Sequence, residues 1–104
     1  MKPLERSLQH TVLRRLKALR ATDPALAFRK RHGSAFGVQG DPDIHGVWRG
    51  VAFEIELKQP GQDPTPLQQA RLKEWSAAGA TVGVVHSTAE LDTFLDRLRQ
   101  ATRR

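Results

Sequence analysis

Cysteine is absent from the 104 residues. That excludes disulfide scaffolds, thiolate zinc sites and cysteine nucleophiles, and it agrees with a cytoplasmic setting. No apolar run approaches the ~18 residues of a membrane span, so an integral membrane protein is not expected. The opening Met1-Lys2-Pro3-Leu4-Glu5-Arg6 lacks the apolar stretch of a signal peptide, and export is not expected either. Internal repeats and low-complexity tracts are also missing. With 38% apolar and 27% charged residues, the chain reads as a single ordinary globular domain, residues 1–104.

Charge is present in excess and unevenly placed. The formal net charge is +6, yet residues 1–31 hold nine bases against Glu5 and Asp23, a net of +7. The remainder, with eight bases and nine acids, is nearly neutral. A basic first third points to a polyanionic partner, most economically nucleic acid, against the plainer reading of a solubilising surface.

Hydrophobic spacing orders the elements. Leu4, Leu8, Val12, Leu16 and Leu19 recur at three and four residues and predict a helix over 4–20, stopped by Thr22-Asp23-Pro24. Residues 25–30 form a short strand candidate, followed by a loop with Gly33, Gly37 and Gly40. Ile44–Trp48 and Val51–Lys58 flank Arg49-Gly50, a hairpin signal. Thr65-Pro66-Leu67-Gln68 is a capping box that opens a helix with a Leu67, Ala70, Leu72, Trp75 stripe, ended by Gly79. Residues 80–85 read as a strand buried on both faces. Ser87-Thr88-Ala89-Glu90 is a second capping box, opening a last helix with Leu91, Phe94, Leu95 and Leu98 as its stripe. The tail 101–104 is expected to fray. The order is α-β-β-β-α-β-α, an α/β sandwich around a mixed sheet.

Four carboxylates, Asp41, Asp43, Glu54 and Glu56, fall within sixteen residues of a basic chain. Glu54, Glu56 and Lys58 share one face of their strand, where like charges repel unless a cation or base lies between them. Counting back from the Arg49-Gly50 turn sets Trp48 against Val51 and Asp43 against Glu56. Carboxylates on adjacent strands are hard oxygen ligands suited to Mg²⁺ or Mn²⁺, and a neighbouring lysine can orient a water or stabilise charge on a phosphate. Those are the parts that metal-assisted phosphodiester hydrolysis needs. The histidines His10, His32, His45 and His86 have no metal-ligand spacing and read as surface or phosphate contacts. Trp48 and Trp75 read as core in preference to base-stacking platforms.

Pro42-Asp43 followed by Glu56-Leu57-Lys58 resembles the signature of the PD-(D/E)XK nuclease superfamily. The wider pattern is similar to its VRR-NUC branch: Gly40-Asp41-Pro42-Asp43-Ile44-His45-Gly46, Ile55-Glu56-Leu57-Lys58, Thr65-Pro66-Leu67-Gln68, Gly79-Ala80 and Val84-Val85. The resemblance covers residues 4–96 and implies a restriction-endonuclease-like αβββαβ sandwich with a C-terminal helix. It implies metal-binding roles for Asp43 and Glu56, for the backbone carbonyl of Leu57 and for Glu5 through water. It gives Lys58 the catalytic role and Gln68 a supporting one. Two of these residues have plainer readings: Glu5 suits the macrodipole of a first helical turn, and Gln68 closes a capping box. Glu54 departs from the family pattern, as an extra ligand or a solvated bystander, and the Arg31–Gly40 segment matches it only loosely.

With a nuclease site in place, Arg14, Arg15, Lys17, Arg31 and His45 become phosphate contacts. No base-reading helix is apparent, so DNA would be held by its backbone and selected by its shape. The resemblance implies a structure-selective endonuclease of branched or four-way-junction DNA, of the stand-alone, phage-type kind. Such an enzyme would act as a homodimer in the cytoplasm of a bacterial or phage-infected host. A non-catalytic DNA-binding module and the catalytic subunit of a restriction or repair complex are the alternatives.

Overall fold

A computed structural model describes residues 3–32 and 37–103 of the chain. The loop position Gly33 and the tail residue Arg104 lie outside the described residues. The elements follow the expected order: α1 (Pro3–Thr22), β1 (Leu26–Lys30), β2 (Ile44–Trp48), β3 (Val51–Leu57), α2 (Pro66–Ala77), β4 (Thr81–Val85) and α3 (Thr88–Ala101). The strands form one mixed sheet in the order β1-β2-β3-β4, antiparallel across the first three and parallel between β3 and β4. An α2 crossover is what a parallel β3–β4 pair requires.

Alternation assigns the two faces. Phe53, Ile55 and Leu57 of β3 pack with Leu26, Phe28, Ile44, Trp48 and Val85 against Val12 and Leu16 of α1 and Leu91, Phe94, Leu95 and Leu98 of α3. This is the main core, and Trp48 belongs to it, its indole N–H donating to Asp23 Oδ2 at 2.9 Å. The opposite face carries Glu54, Glu56 and Asp43. Beside it lie Trp75 of α2 and the segment before β2, joined by the Trp75–Asp41 hydrogen bond.

Four expectations are corrected. Leu4 does not join the α1 stripe; it is 64% exposed, and burial along the helix begins only at Gln9 and Val12. The α2 stripe reduces to Leu72 buried and Trp75 half-buried, with Leu67 and Ala70 exposed. Strand β4 is not buried on both faces: as the sheet's edge it leaves Thr81 to Val84 half-exposed and buries only Val85. In the described part of the tail, α3 runs to Ala101 and Thr102 caps it with its N–H and donates its hydroxyl to the Arg99 carbonyl at 2.7 Å.

Both helix starts follow their local chemistry, with one difference. At α2 the capping box is complete: Gln68 N–H donates to Thr65 Oγ1 at 3.2 Å and Thr65 N–H to Gln68 Oε1 at 2.9 Å. At α3 only half forms. Glu90 N–H donates to Ser87 Oγ, but the Glu90 carboxylate reaches past the cap to the His86 N–H at 2.8 Å and to His86 Nδ1 at 2.7 Å. The β2–β3 turn has positive φ at both central residues, 48° at Arg49 and 83° at Gly50, matching the twist of a two-residue hairpin.

Candidate active site

The tight Arg49-Gly50 turn fixes the register Trp48↔Val51 through Ile44↔Ile55. One step further sets Asp43 opposite Glu56, as the count from the turn predicts. The Asp43 carboxylate accepts the Leu57 N–H through Oδ2 at 2.7 Å, which pins it beside β3. Glu56 is only 1% exposed, and its Oε1 is buried with no hydrogen-bond partner. Its acidity is strongly perturbed. Burial pushes the carboxyl up to about 9, assisted by the Asp43 charge and a hydrogen bond shared with Asp43, while Lys58 opposes the shift and Glu5 adds to it. Burial and the adjacent Asp43 charge thus favour the protonated form of Glu56.

The same electrostatic influences locate two more expected residues. Lys58, half-buried, follows β3 directly and its N–H donates to the Val85 carbonyl at 3.1 Å. Glu5 lies on the first turn of α1, near enough for its charge to act on Glu56. Glu5 does not complete a cluster of side chains, however: among the described residues no three His, Asp or Glu side chains converge as a metal site. The donor set on offer is the Asp43–Glu56 pair. It fits a hard divalent cation, since Glu56 Oε1 is a buried carboxyl oxygen without a donor and its neighbour is another carboxylate.

The other two acids of the cluster are engaged differently. Glu54, 4% exposed, is neither a spare ligand nor a solvated bystander: it takes both arms of Arg31, Nη1 to Oε1 at 2.5 Å and Nη2 to Oε2 at 3.2 Å. Arg31 Nη1 also donates to the Pro42 carbonyl at 2.8 Å, and the guanidinium lies 5.1 Å over the Trp75 ring. The Trp75 indole N–H in turn donates to Asp41 Oδ1 at 3.1 Å. Arg31, expected on phosphate, thus directs its guanidinium into the protein, because a buried Glu54 needs a bidentate cation. On the strand face alone, Lys58 is the nearest cation in sequence. Extending the pairing Arg29↔His45↔Glu54 beyond β1 is the signal that brings Arg31 to this face.

The remaining residues divide by exposure. Gln68 forms the α2 capping box, so its plainer reading is the one the side chain adopts. His45 is half-buried in β2, between Arg29 and Glu54 in the register. Arg14 and Lys17 are exposed on α1, whereas Arg15 pairs with Asp92 of α3. A cleft of about 190 Å³ lined by Arg31, His32, Gln39, Asp41 and Asp43 opens beside the carboxylates. The larger cavity, about 460 Å³, lies at the β4 edge against Phe94 and Arg97, away from this chemistry.

The described elements make an α/β fold, a four-stranded mixed sheet packed with helices, in which Asp43 immediately precedes β2 and Glu56 and Lys58 lie at the end of β3. One solved structure described as "VRR_NUC domain" superposes with a TM-score of 0.72 at 28% identity, covering 91% of this chain and 97% of the other. A second, "VRR_NUC domain protein", gives 0.68 at 16% identity over 93% and 88%, and shows the fold. No family model matches the chain, and no curated protein does. The structural neighbours support a VRR-NUC domain, as the sequence motifs imply. No helix among the described residues is long and apolar enough to cross a membrane.

Proposed function

We propose that this chain is a divalent-metal-dependent endonuclease that hydrolyses phosphodiester bonds in DNA, with branched DNA as its preferred substrate. One observation carries the reading: a buried Glu56 with an orphaned carboxyl oxygen, set against half-buried Asp43 and close to Lys58. Asp43, Glu56 and the Leu57 carbonyl would hold Mg²⁺ or Mn²⁺, with Glu5 contributing negative charge through water. When bound, the ion would supply Lewis-acid activation of a water and neutralise charge on the phosphate. Glu56 would have to lose the proton that its burial favours in order to serve as a ligand. The Asp43 bond to the Leu57 amide keeps its carboxylate oriented. Lys58 orients the attacking water and stabilises charge developing on the phosphoryl oxygens.

Exposed Arg14, Lys17, Arg29 and Lys30 supply backbone contacts on the basic first third of the chain. One chain carries one such site. Symmetric cleavage of a four-way junction takes two, and a two-fold homodimer provides the second. The test is incubation of the purified protein with labelled duplex, flap and four-way-junction DNA, with Mg²⁺, with Mn²⁺ and with EDTA, alongside light scattering. Metal-dependent cutting that favours the junction, by a particle of twice the chain mass, is expected. Activity that persists in EDTA defeats the metal mechanism; metal-dependent binding without cutting points to a DNA-binding module instead.

A further inference from the structure

The four carboxylates between Asp41 and Glu56 separate into two sets. Asp43 and Glu56 face each other, while Glu54 and Asp41 are drawn towards Arg31, whose Nε lies 4.0 Å from Asp41 Oδ2. Arg31 also bonds to consecutive carbonyls on the strand leading into β2: its side chain takes Pro42 O at 2.8 Å, and its backbone N–H takes Asp43 O at 2.8 Å. Pro42 is buried and contributes no N–H of its own, so its carbonyl is the handle by which the segment can be held from the side. A chain of direct bonds therefore runs from Glu54 on β3, through the Arg31 guanidinium, to the peptide that carries Asp43. The Asp43 carboxylate then returns to β3 at Leu57 N.

We propose that Arg31 and Glu54 form a clamp that sets the position of the Asp43 carboxylate, making Arg31 a positioning residue and not a phosphate ligand. The inference deepens the nuclease reading, yet its central measurement needs neither metal nor DNA. The fork matters for a geometric reason. Two parallel N–H···O bonds to Glu54 fix the guanidinium plane, and that plane aims the second hydrogen on Nη1 at Pro42 O. A lysine offers a point charge with no fixed plane, so it can neutralise Glu54 without orienting Pro42. Trp75 stacked on the guanidinium and bonded to Asp41 closes the other side.

Hydrogen exchange of the apo protein, resolved by residue, tests the clamp. The Leu57 amide, bonded to Asp43 Oδ2, reports the carboxylate's position; the Ile55 amide, in the same central strand, reports the sheet. Arg31→Met is expected to speed Leu57 exchange relative to Ile55 by roughly ten-fold or more, the scale of losing a hydrogen bond to a charged group. Arg31→Lys should give most of the same loss. The double variant Arg31→Met with Glu54→Met replaces the ion pair by apolar groups and should recover stability while leaving Leu57 fast. If Arg31→Met is too unstable to measure, that double variant carries the test alone. Mn²⁺ affinity by calorimetry should fall in parallel with Leu57 protection. A uniform loss at Leu57 and Ile55, or slow Leu57 exchange in the double variant, would overturn the clamp. A protein that shows the Leu57 effect but never cuts DNA leaves the clamp standing and removes the nuclease reading.

Discussion

Replacing Glu56 by glutamine should make the metal-free protein more stable at neutral pH, although it removes a residue central to the proposed chemistry. The folded carboxyl holds its proton up to about pH 9, whereas the unfolded chain releases it near 4.5. Between those values the folded state binds more protons than the unfolded state, so stability falls as pH rises. The group's full contribution is present below 4.5 and is lost progressively up to about 9. At pH 7 the gap of 2.5 units from 4.5, at about 1.4 kcal/mol each, corresponds to as much as about 3 kcal/mol against folding. Glutamine keeps the shape, carries no charge, and can donate to Asp43 as the protonated Glu56 carboxyl does. Urea denaturation of both proteins in EDTA, from pH 4.5 to 8.5, measures the difference. The glutamine variant should match wild type at the acid end and exceed it increasingly towards pH 8. Saturating Mn²⁺ should then stabilise wild type and leave the variant unmoved. A variant less stable than wild type at pH 8, or a difference independent of pH, would refute the assignment of a proton held on buried Glu56.

Two further outcomes separate chemistry from binding. Lys58→Ala should abolish cleavage while Mn²⁺ binding by calorimetry stays within a few-fold of wild type; wild-type turnover would remove the lysine from the mechanism. Replacing Arg14 and Lys17 together by alanine should weaken binding to all DNA alike and lower the log–log salt slope by about 0.9 for each phosphate no longer neutralised. An unchanged slope would turn that helix face away from DNA.

The parts of this fold set by short-range chemistry are legible in the sequence. Thr65 and Gln68 cap one another across three residues, and the Arg49-Gly50 turn dictates a register from which the Asp43–Glu56 apposition can be counted. Legibility fails where a residue's environment depends on what lies across the sheet. The spacing of Leu67 and Ala70 says nothing of how far α2 extends over the sheet, so their exposure is invisible in the periodicity. The valines of β4 look doubly buried only until the strand is known to be an edge. Glu54 requires a cation, but the sequence does not say that Arg31, 23 residues earlier, provides it instead of Lys58. Glu90 bypasses its own cap because His86 offers both an N–H and a ring nitrogen at closer hand.

Asp43, Glu56 and Lys58 all belong to one hairpin, and this makes the site sensitive to its far end. A slip of one residue between β2 and β3 would turn Leu57 towards the cleft and Glu56 into the apolar core, because successive side chains alternate between faces. No graded loss is available: the carboxylates are either apposed or on opposite sides of the sheet. The turn that sets the count is the pair Arg49-Gly50, six residues from Glu56 and therefore about 20 Å away. A single residue inserted at that exposed turn would silence the chemistry without touching any group that takes part in it.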